Sequence, residues 1–272
     1  MIIDFHVHIG EHQMYSQSLL EYWRSMNPED FNEQITPDFL YRKLSNAGID
    51  YAVILAEACE GVTGVVPNEY VAKFCSSRRE FIPFAAINPN RERNPVKKLE
   101  EAIEKLGMKG LKLSPPYMYF YPNEKKIYPI YKRAQELEIP IIFHTGSSIF
   151  KGSRLKFAHP IYLDDIAVDF PELRIIQAHG GRGIWYETAY FLAKLHSNVY
   201  LDITGLPPKN LLKYYPELEK IQDKVIYGSD YPAIGDLKQN IEKIKSLPIS
   251  KKAIEKILGE NARKILKLKL KL

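Results

Sequence analysis

The chain is poor in cysteine. Cys59 and Cys75 are the only two thiols among 272 residues. No disulfide framework can hold such a fold, and no Cys-x-x-Cys pair is present to bind zinc. That usage suits a reducing compartment, and a cytoplasmic location is the expectation. Long apolar runs are missing too. No stretch approaches the roughly 20 residues that span a bilayer. Met1-Ile2-Ile3-Asp4-Phe5-His6 has no basic segment and no cleavage site, so it reads as a strand rather than a leader. Charge of one sign is scarce: Lys+Arg 38 against Asp+Glu 33 leaves +5. Part of that excess crowds the tail, at Lys264, Lys267, Lys269 and Lys271. A surface of this kind keeps a protein in solution and marks neither a nucleic-acid nor a membrane partner. Gly/Ser linkers, low-complexity segments and fixed-period repeats are absent as well. What remains, 45% hydrophobic and 26% charged, is an ordinary globular balance.

Short β-rich apolar runs alternate with longer helical patterns. The strand candidates are Ile2–His8, Tyr51–Leu55, Phe81–Ile87, Lys109–Leu113, Ile139–His144, Leu173–Ala178, Val199–Ile203 and Val225–Ser229. They are continuous apolar runs, as parallel strands covered on both faces should be. Helical spacing marks 37–47, 94–106, 126–138, 236–246 and 250–266. Thr36-Pro37 and Asn94-Pro95 place a cap before a proline at the first helical position, and Gly48 and Gly107 follow helix ends. Eight strand–helix units predict an α/β fold, a single (β/α)8 barrel over 1–272, with no second domain. Gly10–Ile35 is the one long irregular stretch. It follows the first strand, so an insertion over 10–36 is expected to lie across the barrel mouth as a lid.

Barrel chemistry sits at the C-terminal ends of the strands. The first candidate strand ends His6-Val7-His8. Alternation sets both imidazoles on one face, with Asp4 deeper on the same face as a partner for an imidazole. The fifth ends Phe143-His144-Thr145-Gly146, the sixth Ala178-His179-Gly180-Gly181, and the eighth Gly228-Ser229-Asp230-Tyr231-Pro232. Each piece alone has a plain alternative, a packed pair or a loop cap. Together they place four of seven histidines at strand ends. Imidazoles with a carboxylate suit one divalent transition metal, Zn²⁺ first, with Mn²⁺, Fe²⁺ or Ni²⁺ as alternatives. His12 lies in the lid within reach of substrate. His159 and His196 are expected to be solvated. Glu57, Glu60 and Asp202 could meet substrate or a metal-held water, or be loop and packing residues.

In order, Asp4-Phe5-His6-Val7-His8, Gly110-Leu111-Lys112-Leu113, His144-Thr145-Gly146, His179-Gly180-Gly181, Gly228-Ser229-Asp230-Tyr231-Pro232 and Gly259-Glu260-Asn261-Ala262-Arg263 span nearly the whole chain. This set resembles the amidohydrolase-2 branch of the amidohydrolase superfamily, metal-dependent TIM-barrel hydrolases and decarboxylases. The resemblance implies His6, His8, His144 and Asp230 as metal ligands, with Asp230 also moving a proton. It implies His179 as a catalytic residue that orients water or, in two-metal members, as a ligand of the second metal. Lys112 stands where two-metal relatives carry a carboxylated lysine; uncarboxylated, it offers an ammonium to a substrate carboxylate. One metal is expected. Arg182, just past the sixth strand, could clamp an anion. The expected activity is hydrolysis of a C–N or C–O bond in a small acidic or ringed molecule. A decarboxylase or hydratase using the same site is the alternative, and a non-catalytic barrel the third reading. The aromatic run 115–122 either walls the pocket or meets another subunit. Barrels of this branch often pair, so a homodimer is open.

Overall fold

The computed structural model describes residues 1–269, so Lys271 of the basic tail lies outside the described residues. Eight parallel strands form the sheet: β1 (Ile3–His8), β2 (Tyr51–Leu55), β3 (Phe81–Ala86), β4 (Leu111–Leu113), β5 (Ile141–Gly146), β6 (Ile175–Arg182), β7 (Val199–Asp202) and β8 (Val225–Ile226). Their order in space is their order in sequence. Each strand pairs in parallel with the next. This is the expected α/β barrel.

The ring closes by a seam of separate bonds rather than by a continuous ladder. Phe5 N donates to Tyr227 O at 3.0 Å, Asp230 N to His6 O at 3.0 Å and His8 N to Tyr231 O at 2.8 Å. Strand β8 is therefore shorter than the apolar run 225–229 suggests, because Tyr227 to Tyr231 serve the seam instead of the β7 ladder.

Alternate strand residues build two layers. Val53, Leu55, Ile82, Phe84, Ile142, Ile176, Ala178 and Ile226 fill the lower barrel together with Ala262 and Ile265 of the last helix. The intervening residues, such as Ala52, Ile54, Leu111, Leu113, Ile175 and Leu201, pack outward against the helices. At about 25 cal/mol per Å² of apolar surface, this double layer is the main source of stability. Strand β1 departs from simple alternation. Its register shifts between Asp4 and Val7, and Phe5 joins the lower interior, 5.8 Å from Phe84.

The stretch after β1 is helical, which corrects the expectation of an irregular lid. Helix Gln17–Met26 starts at Ser16, whose side chain accepts from Leu19 N, and buries Leu19 and Trp23. Helix Pro28–Phe31 follows, with Asn27 as its cap. A hairpin of Glu57–Cys59 and Gly64–Val66 lies beside them, bridged to the lid by Tyr15 and Gly64. The lid is fastened to the end of the ring: the buried Tyr231 hydroxyl donates to Asp30 at 3.0 Å, and Lys43 reaches the other Asp30 oxygen at 2.6 Å.

Candidate metal centre and substrate cavity

Strand ends bring the expected side chains to one place. His6, His179 and Asp230 each offer a ligand atom within 4.8 Å of the others. His8 stands just outside this trio; its Nε2 lies 3.4 Å from Asp230 Oδ1, and the His6 and His8 rings are 5.2 Å apart. His144 joins from β5, with its ring 4.5 Å from that of His179. Its buried Nε2 has no hydrogen-bond partner. A buried ring nitrogen without a partner is costly unless something else occupies its lone pair. That atom, with the His and Asp donors around it, fits a divalent transition metal.

The second nitrogens of three rings are held from outside. His6 Nδ1 lies 3.0 Å from Asp202 Oδ2. His8 Nδ1 lies 2.9 Å from Glu57 Oε1, an ion-pair contact out of line for a hydrogen bond. His179 Nδ1 donates to Thr204 O at 3.1 Å. The partners of His6 and His179 set their tautomers and leave each Nε2 as an acceptor toward the centre, while His8 turns its Nε2 to Asp230 as a donor. Asp4 does not play the part expected of it. Its Oδ1 accepts from the backbone N–H of His6 at 3.1 Å and of Ser229 at 2.8 Å. The shift in β1 turns Asp4 to the seam, and Asp202 takes the imidazole.

Electrostatics divides the rings. Burial, then the Lys112 and Arg182 cations, holds His144 well below the usual imidazole range. Burial and the same two cations act on His6 and His179 as well. Burial would also lower His8, but the neighbouring carboxylates of Asp230 and Glu57 override it and raise His8 to about 9. Asp230 is held below the ordinary carboxylate range against its own burial, by the His8 hydrogen bond and the charges of His6 and His8. Burial lowers Lys112 to about 8. Its Nζ lies 3.3 Å from His6 Nε2, so it faces the centre and does not reach solvent.

Two of these groups sit on unusual backbone. His179 has φ 63° and Asp230 φ 67°. A side chain in this left-handed region costs about 1–3 kcal/mol and persists where the surroundings fix it, often at functional sites. Gly205, φ 66°, makes the room: a Cβ there would stand 2.9 Å from the Arg182 guanidinium and 3.2 Å from Asp230.

A cavity of about 360 Å³ opens above the centre. Leu19, Tyr22 and Trp23 of the lid wall one side; Tyr117 and Phe150 wall the other. Tyr22 and Phe150 meet edge to face at 5.7 Å. Lys112 and Arg182 bring two cations to this space, opposite the carboxylates of Glu57 and Asp230, and Arg182 is steadied by donating to Ser147 O at 3.1 Å. Of the aromatic run 115–122, Tyr117 reaches the cavity, 4.8 Å from the His144 ring. The sequence reading missed the lid wall. Ser16 followed by Leu19, Leu20 and Trp23 was the available signal, a cap before a helical stripe.

Other expectations change. His12 stacks on Phe31 at 4.6 Å and lines a separate cavity of about 250 Å³, so it does not face the centre. His196 is paired with Asp164 at 2.6 Å rather than solvated. His159 lies against Trp185, ring to ring at 4.8 Å. Glu60 reaches Asn88 and Arg91, away from the centre.

Comparison with known proteins agrees with this fold. An uncharacterized TIM-barrel protein of Bordetella bronchiseptica superposes with a TM-score of 0.84 at 23% identity, over 98% of both chains. A dihydroxybenzoic acid decarboxylase of Polaromonas sp. JS666, solved with bound manganese and 2-nitroresorcinol, gives 0.73 at 16%, over 98% of this chain and 96% of that one. A probable 2-pyrone-4,6-dicarboxylic acid hydrolase of Acinetobacter baumannii, with citric acid bound, gives 0.70 at 14%, over 98% and 99%. At such identities these likenesses speak for the fold. A 2-keto-4-carboxy-3-hexenedioate hydratase of Sphingobium sp. (strain NBRC 103272 / SYK-6) is 27% identical over 111 residues, 35% of this chain and 33% of the relative. That match spans about a third of the relative's length. The amidohydrolase model Amidohydro_2 covers residues 3–268. The chain therefore belongs to the amidohydrolase family, as an enzyme of the TIM-barrel kind.

Proposed function

We propose that the chain is a metal-dependent hydrolase that cleaves a C–N or C–O bond of a small acidic or ringed molecule with an activated water. The observation that carries this reading is that ligand atoms of His6, His179 and Asp230 lie within 4.8 Å of one another, in one cavity with His8 and with His144, whose Nε2 is unpartnered. His6, His8, His144 and Asp230 hold one divalent ion in this reading, Zn²⁺ first and Mn²⁺, Fe²⁺ or Ni²⁺ otherwise. Such an ion lowers the pKa of a water from about 15.7 to about 7 and polarises a carbonyl. The protein residues do the rest. Asp230, kept ionised by its imidazole neighbours, accepts the water proton and passes it to the leaving group. His179 donates through Nδ1 to Thr204 O, so its Nε2 is an acceptor and holds the water by its other proton. Lys112 and Arg182 draw a substrate carboxylate into the cavity, and the aromatic walls exclude solvent around it. The lid over 10–36 belongs to the same domain, 1–272. The protein is cytoplasmic in this reading and works on a small molecule, with a homodimer open. No helix among the described residues is long and apolar enough to cross a membrane.

The alternative is a lyase that decarboxylates or hydrates a carboxylic acid in the same site. Lys112 and Arg182 line the cavity beside the carboxylates Glu57 and Asp230, and this cation pair suits an acid as substrate under either reading, including a free carboxylic acid that loses CO₂ or takes up water. In that case His179 or Asp230 protonates carbon.

Metal analysis of the purified chain tests the site. About one equivalent of a transition metal is expected, with loss in His6→Ala. A metal-free preparation whose His6→Ala variant behaves as wild type sinks the reading. A second equivalent that disappears in Lys112→Ala means a carboxylated lysine and two metals. Release of CO₂ from an aromatic or dienoic acid, without amide or ester cleavage, decides for the lyase.

A further inference from the structure

Asp230 lines two spaces. One is the cavity above the centre; the other is a cleft of about 190 Å³ between the lid and the ends of β7 and β8. Tyr22 and Met26 of the lid helix line the cleft one turn apart, and so do Asn240 and Ile244 of the helix Leu237–Lys245. Leu206 and Ile234, from the loops after β7 and β8, complete an apolar wall. Among the described residues no lysine or arginine lines this cleft, whereas the main cavity holds Lys112 and Arg182. Its volume is below the roughly 300–1,000 Å³ of a site for a whole drug-sized ligand, so it suits an arm of a few carbons.

Tyr227, in the same wall, is fully buried, and its hydroxyl has no hydrogen-bond partner in the protein. A hydroxyl buried in this way is costly unless something in the cleft pairs with it. The partition between the two spaces is also thin. Tyr22, Gly205, Asp230 and Ala233 line both. Gly205 brings no side chain, and a Cβ there would stand 3.2 Å from Asp230 Oδ2. The partition is therefore lowest over Gly205, beside that oxygen. The other oxygen, Asp230 Oδ1, lies 3.7 Å from His6 Nε2 and 3.4 Å from His8 Nε2.

We propose that the cleft is a second subsite, which takes the leaving group of the substrate: an uncharged apolar arm with one hydrogen-bonding group for Tyr227. The acidic half of the substrate stays in the main cavity with Lys112 and Arg182. The inference rests on the hydrolase reading, in which Asp230 protonates the group that departs. The water oxygen bonds to the carbonyl carbon, the C–N or C–O bond breaks, and its electron pair stays on the departing nitrogen or oxygen. That atom takes from Asp230 the proton that Asp230 took from the water. It must then lie within about 2.6–3.2 Å of the carboxylate. The space open to Oδ2 over Gly205 is this cleft. The substrate class is an amide or ester whose acyl half is anionic and whose amine or alcohol half is small and uncharged.

Binding of small probes to the full chain, read by methyl NMR, tests the subsite without turnover. The probe is n-butanol, and butyrate is the charged control of similar size. Butanol is expected to shift the methyls of Ile203, Ile234 and Ile244, with a dissociation constant on the order of 10 mM for so small a ligand. Butyrate should instead shift Leu19 and Ile149 of the main cavity. Ile234→Trp, at a half-buried position, should fill the cleft and abolish the butanol shifts while leaving those of butyrate. Tyr227→Phe removes a hydroxyl that has no partner in the protein, so the fold should hold, and butanol should bind about threefold or more weakly for the lost hydrogen bond. That variant carries the test if Ile234→Trp fails to fold. A cleft without butanol shifts, holding water only, overturns the proposal. So do butanol shifts that are equal in both spaces or unchanged in both variants. Amide or ester cleavage without butanol shifts strikes the subsite alone. Butanol shifts together with CO₂ release and no such cleavage strike the hydrolase reading, and the leaving-group role with it.

Discussion

An imidazole becomes a defined ligand when its second nitrogen is held. Asp202 does this for His6 from across the barrel, 196 positions away in sequence, and is itself fixed by accepting from Thr204. Asp202→Asn is expected to lower metal affinity about 10–100-fold with the fold retained; a chelator competition titration measures it, and unchanged affinity refutes the role. Glu57 does the same for His8 and sets its charge. In the metal-free chain His8 is raised from 6.5 to about 9 by Asp230 and Glu57. Its contribution to stability is therefore full below pH 6.5 and is lost as pH rises through about 9. The His8 ring resonance should titrate near 9 by NMR and fall toward its ordinary value in Glu57→Gln. A ring that titrates near 6.5 in the wild type contradicts the assignment. At this scale the sequence was legible where chemistry and strand ends coincide, as at His6, His8, His144, His179 and Asp230. It was not legible where a partner comes from a distant strand. Asp4 looked like the imidazole partner because simple alternation was assumed, and the register shift in β1 removes that premise.

Elements were recovered where an apolar run is long, and less well where the chain leaves the ladder early. Strand β4 keeps three residues of the expected five because Lys109 and Gly110 donate and accept one step outside it, Lys109 N to Pro83 O and Ala85 N to Gly110 O. The lid helices were hidden by their polar composition, since Gln17–Met26 buries just Leu19 and Trp23. Yet the lid is not loose. Tyr231 carries its hydroxyl to Asp30 while its neighbour Asp230 faces the metal centre, so one dipeptide links lid and site. Tyr231→Phe leaves the buried Asp30 short of a donor and is expected to cost about 1–3 kcal/mol. Urea denaturation gives the cost, and hydrogen exchange should rise in residues 17–31 more than in the barrel strands. Uniform protection in both segments argues against the latch. Trp23→Ala opens a void between the two cavities, because Trp23 lines both. A loss of about 3–5 kcal/mol is expected, measured the same way.

For the whole molecule, the strand order means that the two ends of the ring meet at the site. His6 and His8 come from β1, and Asp230 from the segment after β8. An ion bound there joins both sides of the seam, so binding should stabilise the entire barrel by linkage. At 100 times its dissociation constant, a metal adds about 2.7 kcal/mol. A calorimetric scan with and without chelator should show Tm rising with metal concentration in the wild type and flat in His6→Ala; equal melting in both conditions removes the ion from the seam.

The seam has a consequence for how the protein is made. Ser229 N must find Asp4 across 225 positions of chain. At about 5–20 residues per second of synthesis, β1 waits roughly 10–45 s for that partner. Through this interval its outer edge is an open row of hydrogen-bonding groups, the kind of edge on which chains aggregate. The ligand set cannot assemble before nearly the whole barrel has emerged, so a nascent or truncated chain has neither a closed ring nor a centre able to hold metal.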